Sequence, residues 1–386
     1  MFIPSVIPRR EFLTALGGAA GALAAPSLLA QRGATAPSFM YVGSFTSPER
    51  GHGEGITVFQ RTGGGRWAQI QLVKDLENPS FLITDPAGRC LYTVHSDGDR
   101  ASAYRIDPAS GRLALLNHQA TGGQNGVHLA IDATGRFLVV ANYASGTLAV
   151  LPINQDGSLA ALSDLTTLKG TPGPHRVEQP GSHPHHCPFD PSRRFLVVPD
   201  KGLDKVFVFR LDTESGKLVT NDPPWVVTRA GAGPRHAGFH PTKPYAYVLN
   251  ELDSSMTTYQ FDAAAGTLKP LQVLPTIPSS YTGDNTAAEI SVASSGRFVY
   301  ASNRGHNSIA IFAINAANGT LSPAGWELTQ GATPRYFGVD PSGAELYAAN
   351  QGSDTVVRFH VNQATGRLTP AGETVKVGAP CTIAFR

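Results

Sequence analysis

Charge is scarce in this sequence. Asp, Glu, Lys and Arg make up 16% of 386 residues, and 31 basic side chains nearly cancel 29 acidic ones, leaving a formal charge of +2. A typical globular chain carries about a quarter charged residues. So even a balance leaves no broad basic face, which argues against nucleic acid as a partner. Cysteine is scarcer still: Cys90, Cys187 and Cys381 form an odd trio without Cys-x-x-Cys spacing. That pattern excludes a disulfide-stapled miniprotein, a structural zinc module and a Cys-x-x-Cys-His haem attachment. Beyond the first thirty residues no apolar run approaches about 18 residues, so nothing later is expected to span a membrane. The chain also has no Gly-x-x-x-x-Gly-Lys-[Ser/Thr] or Gly-x-Gly-x-x-Gly loop and no Gly-x-Ser-x-Gly turn. Nucleotide cofactors and a serine-hydrolase nucleophile are therefore disfavoured, and no cofactor is expected.

Glycine and proline are abundant, with 41 and 29 copies, and 41% of the residues are hydrophobic. Such a chain can bury a core but is cut too often by turns for long helices. Its start reads Pro8-Arg9-Arg10-Glu11-Phe12-Leu13, followed by a mild, Ala- and Gly-rich apolar run to Ala30. Twin arginines before such a run are similar to a twin-arginine export signal. Residues 1–30 are read as that signal, cleaved between Ala24 and Gln31, with the export machinery as a transient partner. The mature domain, residues 31–386, is then expected in the periplasm or outside the cell, free of the membrane. An uncleaved N-terminal anchor is the alternative.

The rest of the chain repeats. A turn followed by a β-rich run recurs about every 50 residues, as in Asp132-Ala-Thr-Gly-Arg-Phe-Leu-Val-Val-Ala-Asn142 and Asp340-Pro-Ser-Gly-Ala-Glu-Leu-Tyr-Ala-Ala-Asn350. Six such copies begin at Asp85, Asp132, Asp190, His240, Ala293 and Asp340, and Phe39–Ser44 looks like the strand of a seventh. Each is followed by an alternating strand, a turn with Asp or Asn and Gly, and another strand, as in Ile309 to Asn315 with Gly319-Thr-Leu321. A short apolar strand precedes each copy. Four strands per unit of about 50 residues is the signature of a β-propeller blade. The expected fold is all-β, a seven-bladed β-propeller with four-stranded blades. Cys381–Phe385 is an orphan first strand and Phe39–Ser44 an orphan second strand, so pairing the two ends would close the last blade. A solenoid or a pair of sandwiches is the alternative.

Function should lie where residues break the repeat. Two connections are overlong, from about Leu165 to His186 and from about Leu274 to Glu289. His183, His185 and His186 lie just before the first strand of one blade. On a strand, His183 and His185 would point the same way. No acidic cluster accompanies them, so a metal is not expected, and a general base or a hydrogen-bonded structural histidine remains. Arg235 and His236 hold the same place in the next blade. Glu251 follows Asn250 at the end of that blade's second strand, and Arg304 follows Ser302-Asn303 one blade on. Equivalent offsets should bring these side chains to one mouth of the channel. Two arginines suit an anionic substrate and a developing oxyanion, and a His or Glu could activate water. A purely structural ion network would use the same residue types.

Several motifs carry a resemblance: Tyr41-Val-Gly-Ser-Phe-Thr-Ser47, Gly233-Pro-Arg-His236 with Tyr247-Val-Leu-Asn-Glu251, Ala288-Glu-Ile290 and Ser302-Asn-Arg-Gly305. In order along residues 39 to 386, they resemble the seven-bladed propeller lactonase family of 6-phosphogluconolactonases and carboxymuconate cyclases. The resemblance implies a metal-independent lactonase site at the channel mouth, acting on a small anionic lactone. It implies catalytic roles for His185, Arg235, Glu251 and Arg304. It also implies substrate contacts from Arg176 and His183, with His128, Asp200 and His236 facing the site. Two departures stand out: a lysine follows Asp200, and the chain carries an export signal although 6-phosphogluconolactone is a cytosolic metabolite. Two other readings stay open, a non-catalytic binding propeller and a cyclase running lactone chemistry in the closing direction.

Overall fold

The computed structural model describes residues 36–386; the expected export signal lies outside them. Seven antiparallel sheets follow one another along the chain, six of four strands and one of three. The expected closure is present. Phe39–Ser44 pairs with Ile56–Arg61 on one side and with Pro380–Phe385 on the other, Tyr41 opposite Ala384 and Val42 opposite Ile383. We call this closed sheet blade 1 and number the rest in chain order.

The repeat has a local cause. In blades 2, 3, 4 and 7 the leading aspartate (Asp85, Asp132, Asp190, Asp340) accepts backbone N–H groups four or five residues on, such as Phe137 N–H to Asp132 at 2.9 Å and Phe195 N–H to Asp190 at 2.8 Å. This Asx turn reverses the chain between the inner and second strands of a blade. The asparagine that ends most copies does a related job at the other mouth. Asn142, Asn250, Asn303 and Asn350 each donate to the Ser or Thr that opens the third strand.

Blades pack face to face through clusters shared between neighbours. One holds Val139 and Val150 of blade 3 with Leu196, Val198 and Phe207 of blade 4. Each such side chain contributes about 1.5–3 kcal/mol when fully buried. A polar bond joins many of the same interfaces. Tyr41, Tyr92, Tyr247 and Tyr300 each donate a hydroxyl to the carbonyl of a glycine in the next blade, namely Gly111, Gly157, Gly319 and Gly366, at 3.0–3.1 Å. These are the glycines of the repeated Gly-x-Leu turn. Gly319 sits at φ 74°, and a Cβ there would run into the Tyr245 ring.

Blade 4 departs from the pattern. Its inner segment is no regular strand but touches the second strand only at two bridges, Pro184–Asp200 and Phe189–Leu196. Pro184 and Pro188 cannot donate to a ladder. The expected His-x-His strand is therefore not formed, and consecutive His185 and His186 both pack against one partner, His236, with ring centroids 5.1 and 4.2 Å away.

The interface account makes a graded prediction. Tyr247→Phe should lower unfolding free energy by about 1 kcal/mol, one buried hydrogen bond. Gly319→Ala should cost more, at least about 1–2 kcal/mol from the left-handed backbone alone. Urea unfolding of both variants reads the order, and equal or reversed costs would contradict it.

Candidate active site

The inner strands run in one direction around the channel, so their first residues gather at one mouth. Most of them carry a register irregularity there, between Pro79 and Phe81, Gly126 and His128, Pro234 and His236, Ala287 and Ile290, and Pro334 and Tyr336. A bulge lets adjacent residues turn toward the same space. Arg235, Glu289 and Arg335 occupy these bulges. A second ring of residues follows the last residue of each second strand: Tyr143 after Asn142, Lys201 after Asp200 and Glu251 after Asn250. Arg304 closes its own strand, Phe298–Arg304.

The expected meeting of Arg235, Glu251 and Arg304 occurs. Glu251 Oε2 lies 2.7 Å from Arg235 Nε and 3.2 Å from Arg304 Nη2, while its Oε1 accepts from Lys201 Nζ at 2.9 Å. Burial alone would raise the Glu251 pKa, but Arg304, Lys201 and Arg235 outweigh it and hold the carboxyl well below the usual carboxylate range. Burial works against the Lys201 charge too, and Glu251, Tyr143 and Glu178 more than offset it. Lys201 also donates to Glu178 at 2.6 Å and to the Tyr143 hydroxyl at 3.2 Å. Arg335 is different: no carboxylate pairs with it among the described residues, and its guanidinium lies over the Phe45 ring at 5.1 Å.

Beside the cations lies a chain of hydrogen bonds. Glu289 Oε1 is 2.9 Å from His236 Nδ1, and His236 Nε2 is 3.2 Å from His185 Nδ1. Burial first, and Arg235 next, push both histidines well below their usual range. Burial pushes the Glu289 carboxyl up to about 8. His185, Arg235, His236, Glu289, Arg335 and Tyr336 line a narrow pocket of about 10 Å³, room for about one water. Phe81 and Tyr336 also border a cavity of about 530 Å³ that runs to Ile83, Ile131 and Phe189, toward the opposite ends of the inner strands.

The remaining expected residues separate. His183 stacks on Tyr143 at 4.3 Å, with Nδ1 on the Tyr143 carbonyl at 2.9 Å, and so borders the mouth. His128 lies deeper, against Phe81 and His186, its Nδ1 accepting from Cys187 N–H at 3.2 Å. Asp200 is wholly buried and occupied by Ser182 and by the N–H groups of His183, Gly202 and Leu203, so it organises a turn rather than facing the site. Arg176 is exposed and makes no ion pair with the cluster among the described residues. From the same loop it is Glu178 that reaches Lys201, while Gln179 pins the loop through Lys201 O and Asp204.

Glu289, Arg335, Lys201 and Tyr143 were not among the expected site residues. Thr333-Pro-Arg-Tyr336 mirrors Gly233-Pro-Arg-His236, and Glu289 is an acid within an apolar inner strand. Both signals were present in the sequence. Among the described residues no group of three His, Cys, Asp or Glu side chains is placed to hold a metal ion, and no helix is long and apolar enough to cross a membrane.

A seven-bladed propeller with a cation-rich, histidine-bearing pocket at one mouth thus defines the architecture and the site. The family model described as lactonase, 7-bladed beta-propeller, matches residues 39–385, and the chain belongs to that family. A 6-phosphogluconolactonase of Bacillus subtilis is 37% identical over 78% of this chain and 84% of its own length, and one of Formosa agariphila is 34% identical over 78% and 86%. The solved periplasmic gluconolactonase PpgL of Pseudomonas aeruginosa superposes with a TM-score of 0.83 at 31% identity, covering 90% of this chain and 98% of that one.

The buried histidines set an acid limit on stability. His128, His185, His186 and His236 are all held well below 6.5 by burial, so on unfolding they take up protons and the unfolded state is favoured as pH falls below about 6.5. Glu289, raised to about 8, acts in the opposite sense, while buried His95, lowered to about 4, acts with the four histidines. The melting temperature should fall as pH drops from 7 to 5, and His128→Gln should flatten that fall. A melting temperature unchanged over that range would contradict the assignment.

Proposed function

We propose that the chain hydrolyses a small anionic, sugar-derived lactone at this mouth, and that it does so in the periplasm or outside the cell. The observation that carries the reading is the buried Glu251, with Lys201, Arg235 and Arg304 around it, Arg235 also lining the pocket that holds His185. The family membership and the names of the relatives agree with lactone opening rather than closing. The export signal read in residues 1–30, together with the periplasmic location of the Pseudomonas relative, favours an extracytoplasmic lactone such as a gluconolactone over a cytosolic phosphate ester.

The pocket has space for about one water beneath the mouth, so the lactone seats above it. Arg335, which has no carboxylate partner, takes the substrate's anionic or most electron-rich oxygens. The water attacks the ring carbonyl carbon as His185 Nε2 accepts its proton. Negative charge develops on the carbonyl oxygen, and Arg235 and Arg304 stabilise it. Collapse breaks the bond to the ring oxygen, which takes the proton back, and the resulting hydroxy acid ionises. Glu251 is too firmly held as a carboxylate to act as the base. It fixes the guanidinium groups and lowers the cost of burying them. This reading keeps the catalytic roles expected for His185, Arg235 and Arg304 and makes Glu251 a positioning residue. His183 on Tyr143 shapes the rim.

Proton release by the purified mature chain on gluconolactone, its 6-phosphate and a muconolactone tests the reading. Arg235→Gln should lower kcat/KM at least about 100-fold, as loss of one oxyanion donor does, with an unchanged circular dichroism spectrum. Near-normal turnover in that variant, or no activity of the parent above spontaneous opening, would overturn it and favour a binding propeller.

A further inference from the structure

The hydrolytic reading leaves open where the water's proton rests. His185 is a poor place for it. Its ring is buried, and Arg235, Arg335 and Lys201 all oppose an added positive charge there. His236 is no better: burial, Arg235, Arg335 and Arg304 oppose charge there and outweigh Glu251. The next member of the chain is a carboxylate, which loses charge rather than gains it when a proton arrives.

We propose that Glu289 is the terminal proton acceptor of this site, connected to the attacking water through His236 and His185 as a three-membered relay. The inference rests on the lactonase reading for its chemistry and on the hydrogen-bond chain for its geometry. In the state that starts the relay, with Glu289 ionised above its transition, Glu289 Oε1 accepts from Ile290 N–H at 2.9 Å and from His236 Nδ1–H at 2.9 Å. His236 Nε2 then carries a lone pair and accepts from His185 Nδ1–H at 3.2 Å. His185 Nε2 is left as a lone pair, and no hydrogen bond joins it to another described residue. When water is attacked, its proton goes to His185 Nε2, the His185 Nδ1 proton to His236 Nε2, and the His236 Nδ1 proton to Glu289. The water oxygen becomes the new C–O bond. The three protons return in the reverse order as the ring oxygen leaves. At no stage does either histidine need to hold a full charge.

The groups around the relay do not short-circuit it. His186 stacks on His236, but its Nδ1 accepts from Ala237 N–H. His128 is 6.1 Å from the His236 ring and is engaged with Cys187 N–H. Tyr336 is half-buried, and desolvation followed by Glu289 raises its hydroxyl far above the working range. Tyr143 meets the His185 ring edge-on at 5.5 Å and is bonded to Lys201. Glu251 is saturated by Lys201, Arg235 and Arg304. Burial pushes Glu289 up to about 8, so the acceptor is free above that pH and can readily give the proton back.

Imidazole nitrogen NMR on the full folded chain, with labelled histidine, reads the relay without substrate. Above the Glu289 transition His185 and His236 should both be Nδ1–H tautomers. As pH falls through about 8, both should switch together to Nε2–H while staying neutral, and Glu289→Gln should abolish the switch. Titration of either ring to imidazolium near its ordinary pKa, or a switch that survives Glu289→Gln, would overturn the proposal. The kinetic arm uses the pH profile. Glu289→Gln should lower kcat at least about 100-fold with little change in KM and move the acid limb to lower pH, because histidine alone must then take the proton; Glu289→Asp should partly restore both. A uniform loss with an unmoved limb would mark Glu289 as merely structural and overturn the relay. A parent chain inactive on every lactone, with the coupled tautomer switch intact, would sink the lactonase reading and leave the relay standing.

Discussion

Three cations cannot be buried at one mouth of a protein channel without a counter-charge, and Glu251 is that counter-charge. One of its oxygens meets Arg235 and Arg304 and the other meets Lys201. Removing one partner from such a buried group typically costs about 3–5 kcal/mol, because the others are left uncompensated. The guanidinium groups are therefore held in position before any substrate arrives. This is the state in which they stabilise a developing oxyanion without reorganisation. Arg335, unpaired among the described residues, is the member of the group that an anion can still claim.

The scaffold explains why these residues meet although they come from separate blades. Bulges at the start of the inner strands turn Arg235, Glu289 and Arg335 into the channel. The ends of the second strands supply Tyr143, Lys201, Glu251 and Arg304 from one ring outward. Deeper in the channel Phe81, His128, His186 and Tyr336 form a layer of packed rings, so the charged mouth sits above an aromatic layer. Burial there, together with Arg235, keeps the histidines neutral and leaves Glu289 as the place for a proton.

Much of the fold was legible because it rests on local chemistry repeated along the chain. The Asx turn at Asp132 or Asp340, the alternating strand after it and the glycine turn at Gly319 each announce themselves within a dozen residues. The orphan strands Phe39–Ser44 and Cys381–Phe385 foretold the closure. The meeting of Arg235, Glu251 and Arg304 was legible for the same reason, since equal offsets in neighbouring repeats become neighbours in space. What was not legible depends on backbone irregularity and long loops. Two prolines unmake the strand on which His183 and His185 would have aligned. The loop that carries Arg176 is pinned through Glu178 and Gln179, leaving the arginine outside. Asp200, read as facing the site, is claimed by backbone amides that only the folded turn presents. Lys201, read as a departure from the family pattern, proves to be part of the ion cluster.

The central claim is that Glu251 and the guanidinium of Arg235 act as one unit. A double-mutant cycle on kcat/KM with Glu251→Gln, Arg235→Gln and the pair together tests it most directly. A single unit predicts strong non-additivity, with the double variant within about tenfold of the worse single variant. Losses that simply multiply would show that the two side chains contribute independently and would contradict the account.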